Sequence, residues 1–172
     1  MDALRDVLDT PGTHAPKFTL PQGLKCEAIL AIAEKKGEPV WVTKKRLAGL
    51  DFVLSHDRPN FGPALDALDP SSISFFVQPN STEQRTWDDV PEEIRSTFEK
   101  LGIPESERKG LAGVGAQYDS EMVYHNLQKD LADQGVVFLN MDVAVREYPE
   151  LVEKYFMTSC VPVHDHKFAM LH

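Results

Sequence analysis

Proline and glycine divide this 172-residue chain into short stretches, and that punctuation limits what it can fold into. Proline lacks an N–H and cannot continue a helix from within, whereas glycine readily takes the left-handed conformation that ends one. Residues 1–21 hold Pro11, Gly12, Pro16 and Pro21 and read as a flexible leader. Further breaks fall at Gly37, in the run DRPNFGP (57–63), at Asp69–Pro70, and at Pro79, Pro91, Gly102, Pro104, Gly135 and Pro149. Only short helices and short strands fit between them.

Hydrophobic spacing assigns a type to each interval. Cys26, Ile29, Leu30 and Ala33 recur as one helix face, with Gly37 closing the helix and Cys26 on its packed side. A second helix is expected over 39–54, with Thr43, Leu47, Leu50 and Leu54 as its inner stripe. The basic run Lys44, Lys45 and Arg46 on that helix reads first as a solvated face and second as a docking patch for an acidic partner. SISFFV (72–77) is β-prone and reads as a strand. Pro91 opens a helix at its first position, with Glu92 and Glu93 facing the positive end of its dipole and Ile94, Phe98 and Leu101 as its apolar stripe. A short turn of helix follows Pro104. The spacing of Val123, Leu127 and Leu131 predicts a helix over 119–134, capped by Asp119 or Ser120 and closed by Gly135. VVFLN (136–140) reads as a buried strand, and 142–147 and 149–156 as two short helices, with Glu150 and Lys154 at pairing distance.

Composition narrows the partners. Apolar residues make up 42% of the chain, too many for a wholly disordered one, and the length suits one ordinary domain. A net charge of −9 argues against nucleic acid, whose binding needs clustered cations, and against an anionic membrane surface. Cys26 and Cys160 make no disulfide framework, which points to a reducing, cytoplasmic setting. The start MDALRDVLDTPG has no basic region followed by an apolar run, and no stretch approaches the ~18 apolar residues of a membrane span.

Few residues offer chemistry. Gly110, Gly113 and Gly115 give G-x-x-G-x-G, the wrong order for a dinucleotide fingerprint, and read as a tight loop. Asp88 with Asp89, and Glu92 with Glu93, sit at a helix start, where negative charge is stabilised locally. His125, set on a helix, points away from Val123 and Leu127 and reads as solvated or interfacial. The segment SCVPVHDHKFAMLH (159–172) is the one cluster of metal-type ligands. Cys160, His164 and His166 suit zinc or iron, and His172 offers a fourth ligand. Asp165 points the other way if His164 and His166 share a strand face. No motif of a hydrolase, a zinc protease or a nucleotide-binding loop occurs, so a non-enzymatic chain with no catalytic, cofactor or metal residue is expected.

The longer pattern carries a resemblance. WDDVPEEIRSTFEKLGIPESERKGLAGVGAQYDSEMVYHN (87–126), QGVVFLNMDVAVREYPELVEKYF (134–156) and KKGEPVWVTKKRLAGLDF (35–52) resemble the N-terminal region of SufB-like proteins. These are scaffold subunits of the SUF iron–sulfur cluster assembly system. AGVGAQYDSEMVYHN is the most specific piece, and the likeness runs from about residue 22 to the end. It implies a helical N-terminal region leading into a parallel β-helix largely absent from this chain. It implies as partners a SufC-like ATPase, a SufD-like subunit, or a missing C-terminal portion. The ATPase would bind the nucleotide, in keeping with the lack of a phosphate loop here. The cluster sites of such proteins lie beyond residue 172, so none maps onto this chain. Typical members carry asparagines about where His164 and His166 stand.

The expected architecture is therefore α+β and mainly helical, with two or three short strands. It comprises a leader (1–21), a SufB-like region (22–158, most compact over 85–158) and a lead-in to a β-helix (159–172). The expected function is non-catalytic, through protein contacts in iron–sulfur cluster assembly. The alternative is a stand-alone metal-binding module using Cys160, His164 and His166.

Overall fold

The computed structural model describes residues 15–102, 111–159 and 161–169. Among them, six α-helices and two small antiparallel sheets give an α+β architecture, in agreement with the sequence reading. The contacts group the chain into two units. One holds the described residues up to Thr19 with Phe76–Leu139; the other holds Leu20–Phe75 with the described residues from Asn140 onward. Residues 140–158 thus group with the first helices, not with the central segment as the reading of 85–158 expects.

In the first unit, β1 (Phe18–Thr19) pairs antiparallel with β2 (Val77–Gln78). The stretch expected to be a loose leader therefore contributes an edge strand. SISFFV is strand only at its last residue; its start belongs to the second unit, in a 3₁₀ turn, Pro70–Ser72, where the Asp69 carboxylate accepts the Ser71 N–H. Proline at the first position and a capping aspartate favour a turn over an extended chain there. Helix α3 (Glu92–Lys100) follows Pro91, and its Ile94 is fully buried.

The largest departure lies at 113–127. The expected helix is instead a hairpin, β3 (Gly113–Tyr118) and β4 (Glu121–Leu127), joined by Asp119 and Ser120. Asp119 takes φ 52°, a conformation that aspartate tolerates better than most residues. Its neighbour Ser120 is tied to β2: the Val77 N–H donates to Ser120 Oγ, and the Ser120 N–H to the Val77 carbonyl, both at 2.9 Å. A register shift between Ala116 and Gln117 places Val123 opposite no single partner. This bulge lets Val123 and Tyr124, adjacent in sequence, enter one core with Val90, Ile94 and Ala116. Trp87 packs edge-on against both Tyr124 and Phe98, with ring centroids 5.3 and 5.6 Å apart. Two adjacent core residues imitate part of a helical stripe, which is why the spacing misleads. The helix survives only as α4 (Lys129–Asp133). VVFLN follows Gly135 as an unpaired, largely exposed stretch rather than a buried strand.

In the second unit, α1 (Cys26–Lys36) packs against α2 (Val40–Ser55), and α5 (Met141–Glu147) against α6 (Pro149–Tyr155). Gly37 ends α1 at φ 60°, its N–H closing onto Ala33 and Glu34 carbonyls. Ile29 and Ala33 are buried as the spacing requires, but Ile32 takes the third buried place and Leu30 is exposed; Cys26 is exposed as well, because it is the first helical residue, ahead of the packed turns. The α2 stripe is corrected too. Val42 is its buried residue, while Leu54 is 72% exposed. No helix among the described residues is long and apolar enough to cross a membrane.

Candidate functional site

Among the described residues of the first unit, a histidine is placed where water does not reach it. His125 stands on β4 opposite Gly115 and is 2% exposed, the reverse of the solvated histidine expected from a helix. Side chains alternate along a strand, so His125 leaves the Tyr124 face and turns to the one covered by Phe138. The two rings lie 4.9 Å apart. A third chain segment runs along β4, with the Gln84 N–H bonded to the Val123 carbonyl and the His125 N–H to the Gln84 carbonyl, both at 3.0 Å. This brings Arg85 beside the imidazole, and Arg85 Nη1 donates to His125 Nδ1 at 2.6 Å. Guanidinium only donates, so Nδ1 is the acceptor and the ring proton sits on Nε2. Nε2 is buried with no hydrogen-bond partner among the described residues. Glu83 Oε1 lies beside both groups, 3.7 Å from Arg85 Nη2 and 3.9 Å from His125 Nδ1.

The glycines of G-x-x-G-x-G make this packing possible. Gly113 and Gly115 are two apart on β3 and share a face, and that face lies beneath Phe138. A Cβ on Gly113 would meet the Phe138 ring at 3.2 Å, and one on Gly115 would meet Met122 at 3.3 Å. The motif is thus a strand that leaves room for an aromatic ring, not a loop. Gly110 lies outside the described residues. In this geometry, both imidazole nitrogens are shut away, so the cluster anchors the hairpin rather than meeting a dissolved substrate. Sequence reasoning missed Arg85 and the burial of His125. The available signal was the two-residue polar turn Asp119–Ser120 between the short runs GVGAQY and EMVYHN.

The other candidates are open. Asp88, Asp89, Glu92 and Glu93 are all exposed. Arg95 pairs with Glu92 and reaches Asp88 at 3.8 Å, and Asp89 accepts from Thr86. The basic run on α2 is not one patch. Lys45 Nζ donates to the Phe156 carbonyl at 2.6 Å, and Arg46 grips the buried Glu38 carboxylate with Nε and Nη2 at 3.0 and 2.7 Å. Only Lys44 of the three is exposed. In the second unit a shallow depression of about 430 Å³ opens between Lys25, His56, Arg58 and Ser71, with Asp57 on its wall. Asp69, nearby in sequence, has its carboxyl held below the ordinary carboxylate range by the Ser71 hydroxyl and N–H.

Cys160 and His172 lie outside the described residues. His164 and His166 stand in a turn closed by the Asp165 N–H on the Pro162 carbonyl, not on a strand. His164 is exposed near Phe52, ring centroids 6.4 Å apart, while His166 Nδ1 accepts the Ala169 N–H at 3.0 Å. That bond leaves only Nε2 of His166 open to another partner. Among the described residues, no group of three or more histidines, cysteines and carboxylates is arranged to hold an ion.

No family model matches the chain, and no solved structure matches it. Curated proteins do. The chain is 46% identical over 154 residues to an iron–sulfur cluster assembly SufBD family protein of Staphylococcus saprophyticus, and equally so to one of Staphylococcus epidermidis. A Staphylococcus aureus protein of the same name is 45% identical over 154 residues. Each alignment covers 90% of this chain and 33% of the relative. The chain therefore spans about a third of the length of these relatives, and its homologues over nine tenths of its own length are iron–sulfur cluster assembly SufBD family proteins.

Proposed function

We propose that this chain works in iron–sulfur cluster assembly as a non-catalytic, SufB-like segment in the cytoplasm, acting through contacts with other assembly proteins. The observation that carries this reading is the 46% identity to SufBD family proteins over 90% of the chain. Two features support a contact role. Large apolar side chains stand open on both units, among them Val137, Leu54 and Leu151. The one buried histidine among the described residues is committed to holding a hairpin. On this reading the cluster is cargo carried elsewhere in the assembly, and this segment supplies no ligand to it. The partners are a SufC-like ATPase, a SufD-like subunit, or the remaining portion of a SufB-like protein.

The test is co-expression of the tagged chain with each of those three in turn. Recovery of a stoichiometric complex with at least one is expected, withstanding washes at moderate salt. Failure to bind any of them, when the same three assemble with a full-length relative, overturns the reading.

A further inference from the structure

Helix α2 carries apolar residues on two faces, and among the described residues Val42, on one of them, is its buried side chain. On the other, Val40, Leu47 and Leu54 recur at intervals of seven, with Thr43 and Leu50 three residues after the first two. That is the a and d spacing of a helix-pairing seam. Val40 is 70% and Leu54 72% exposed, at opposite ends of the seam, and Thr43, Leu47 and Leu50 are half-buried. Beside the seam, at its two e positions, stand Lys44 and Asp51, both exposed and opposite in sign. Ala48, next to the central leucine, is small enough for a second helix to come close.

We propose that this face pairs two copies of the chain, α2 against α2, running antiparallel. The order of residues selects that occupant. Turned end for end, a positions meet d positions, so Leu47 packs against Leu50 of the second copy and Leu54 against its Thr43. In an antiparallel pair e positions face e positions, so Lys44 meets Asp51 of the second copy, and two-fold symmetry repeats the pair. A parallel pairing would set Asp51 against Arg46, whose guanidinium is already held by Glu38 of its own chain. The contact is isologous and closes on itself. One helix pair buries less than a standard interface, so the dimer belongs to the weak, reversible class. The proposal does not depend on the function proposed above.

Sedimentation equilibrium of the full chain at physiological salt, over a wide range of concentrations, reads it. A reversible monomer–dimer equilibrium is expected. Leu54→Glu should leave only monomer. Lys44→Asp should weaken the dimer about tenfold, by losing two ion pairs and creating two like-charge contacts. The double variant Lys44→Asp/Asp51→Lys should restore it to within about threefold of the original. These side chains are exposed, and far-UV circular dichroism should show the variants as folded as the parent. A chain monomeric at every concentration overturns the proposal. So does a dimer indifferent to Leu54→Glu, or a double variant no better than Lys44→Asp.

Discussion

Phe138 lies across two glycines, and the consequences can be measured one side chain at a time. Gly113→Ala would push a methyl group 3.2 Å from the Phe138 ring and 3.4 Å from Leu127 Cδ1. Phe138 is partly exposed and can yield, so a loss of about 1 kcal/mol in urea unfolding is expected. His125 allows a sharper contrast. His125→Phe keeps a ring against Phe138 and removes a buried N–H without an acceptor, while water can take over the mostly exposed Arg85. It should be neutral or stabilising by up to ~1 kcal/mol, whereas His125→Ala should cost about 2–3 kcal/mol by losing the ring. Similar losses in both would show that the polar contact, not the packing, holds the hairpin. Asp69 gives a pH signature. Its folded carboxyl titrates below its unfolded value, so its contribution is present above the unfolded value and disappears as pH falls through the folded one. Asp69→Asn should therefore flatten the acid limb of the stability profile below about pH 4 and leave the neutral shape unchanged.

The helices were legible because each carries its own start or stop. α1 ends at Gly37, α5 begins at Asn140, whose side chain accepts the Val143 N–H at 2.9 Å, and α6 begins at Pro149. Removing such signals should be felt locally. Gly37→Ala forces a side chain into the left-handed region at φ 60° and should lower the melting temperature, at a cost of about 1 kcal/mol. Asn140→Ala should cost a similar ~1 kcal/mol through the lost cap. The hairpin was not legible, because its decisive feature is a bulge. Strict alternation is the pattern that identifies a strand, and Val123–Tyr124–His125, buried three in a row, breaks it. A helix over 119–134 fits the spacing of Val123 and Leu127, but it leaves Gly113 and Gly115 without a reason, and the hairpin supplies one.

The two units follow contacts that no local pattern reveals. Lys36 on α1 pairs with Asp142 on α5, more than a hundred residues along the chain, and Lys45 on α2 bonds the Phe156 carbonyl just past α6. Such pairs draw 140–158 to the first helices and leave the hairpin with α3 as its own cluster. Ile94 is completely buried in that cluster, so Ile94→Ala should cost about 2–4 kcal/mol in thermal or urea unfolding, with loss of the hairpin amides' exchange protection. The metal alternative is checked by elemental analysis: the purified chain and its Cys160→Ala/His166→Ala variant are expected to carry equal, substoichiometric zinc and iron.

By itself the sequence determined the α+β class, the helix boundaries on either side of the central segment, and the likeness to SUF assembly proteins. These rest on local backbone chemistry and on residue order, both present in one dimension. Tertiary structure decided the hairpin, the burial of His125 beneath Phe138, the use of Lys45 and Arg46 inside the fold, and the open face of α2. A side chain's burial depends on what the rest of the chain brings against it, and a short apolar run accepts more than one such neighbour.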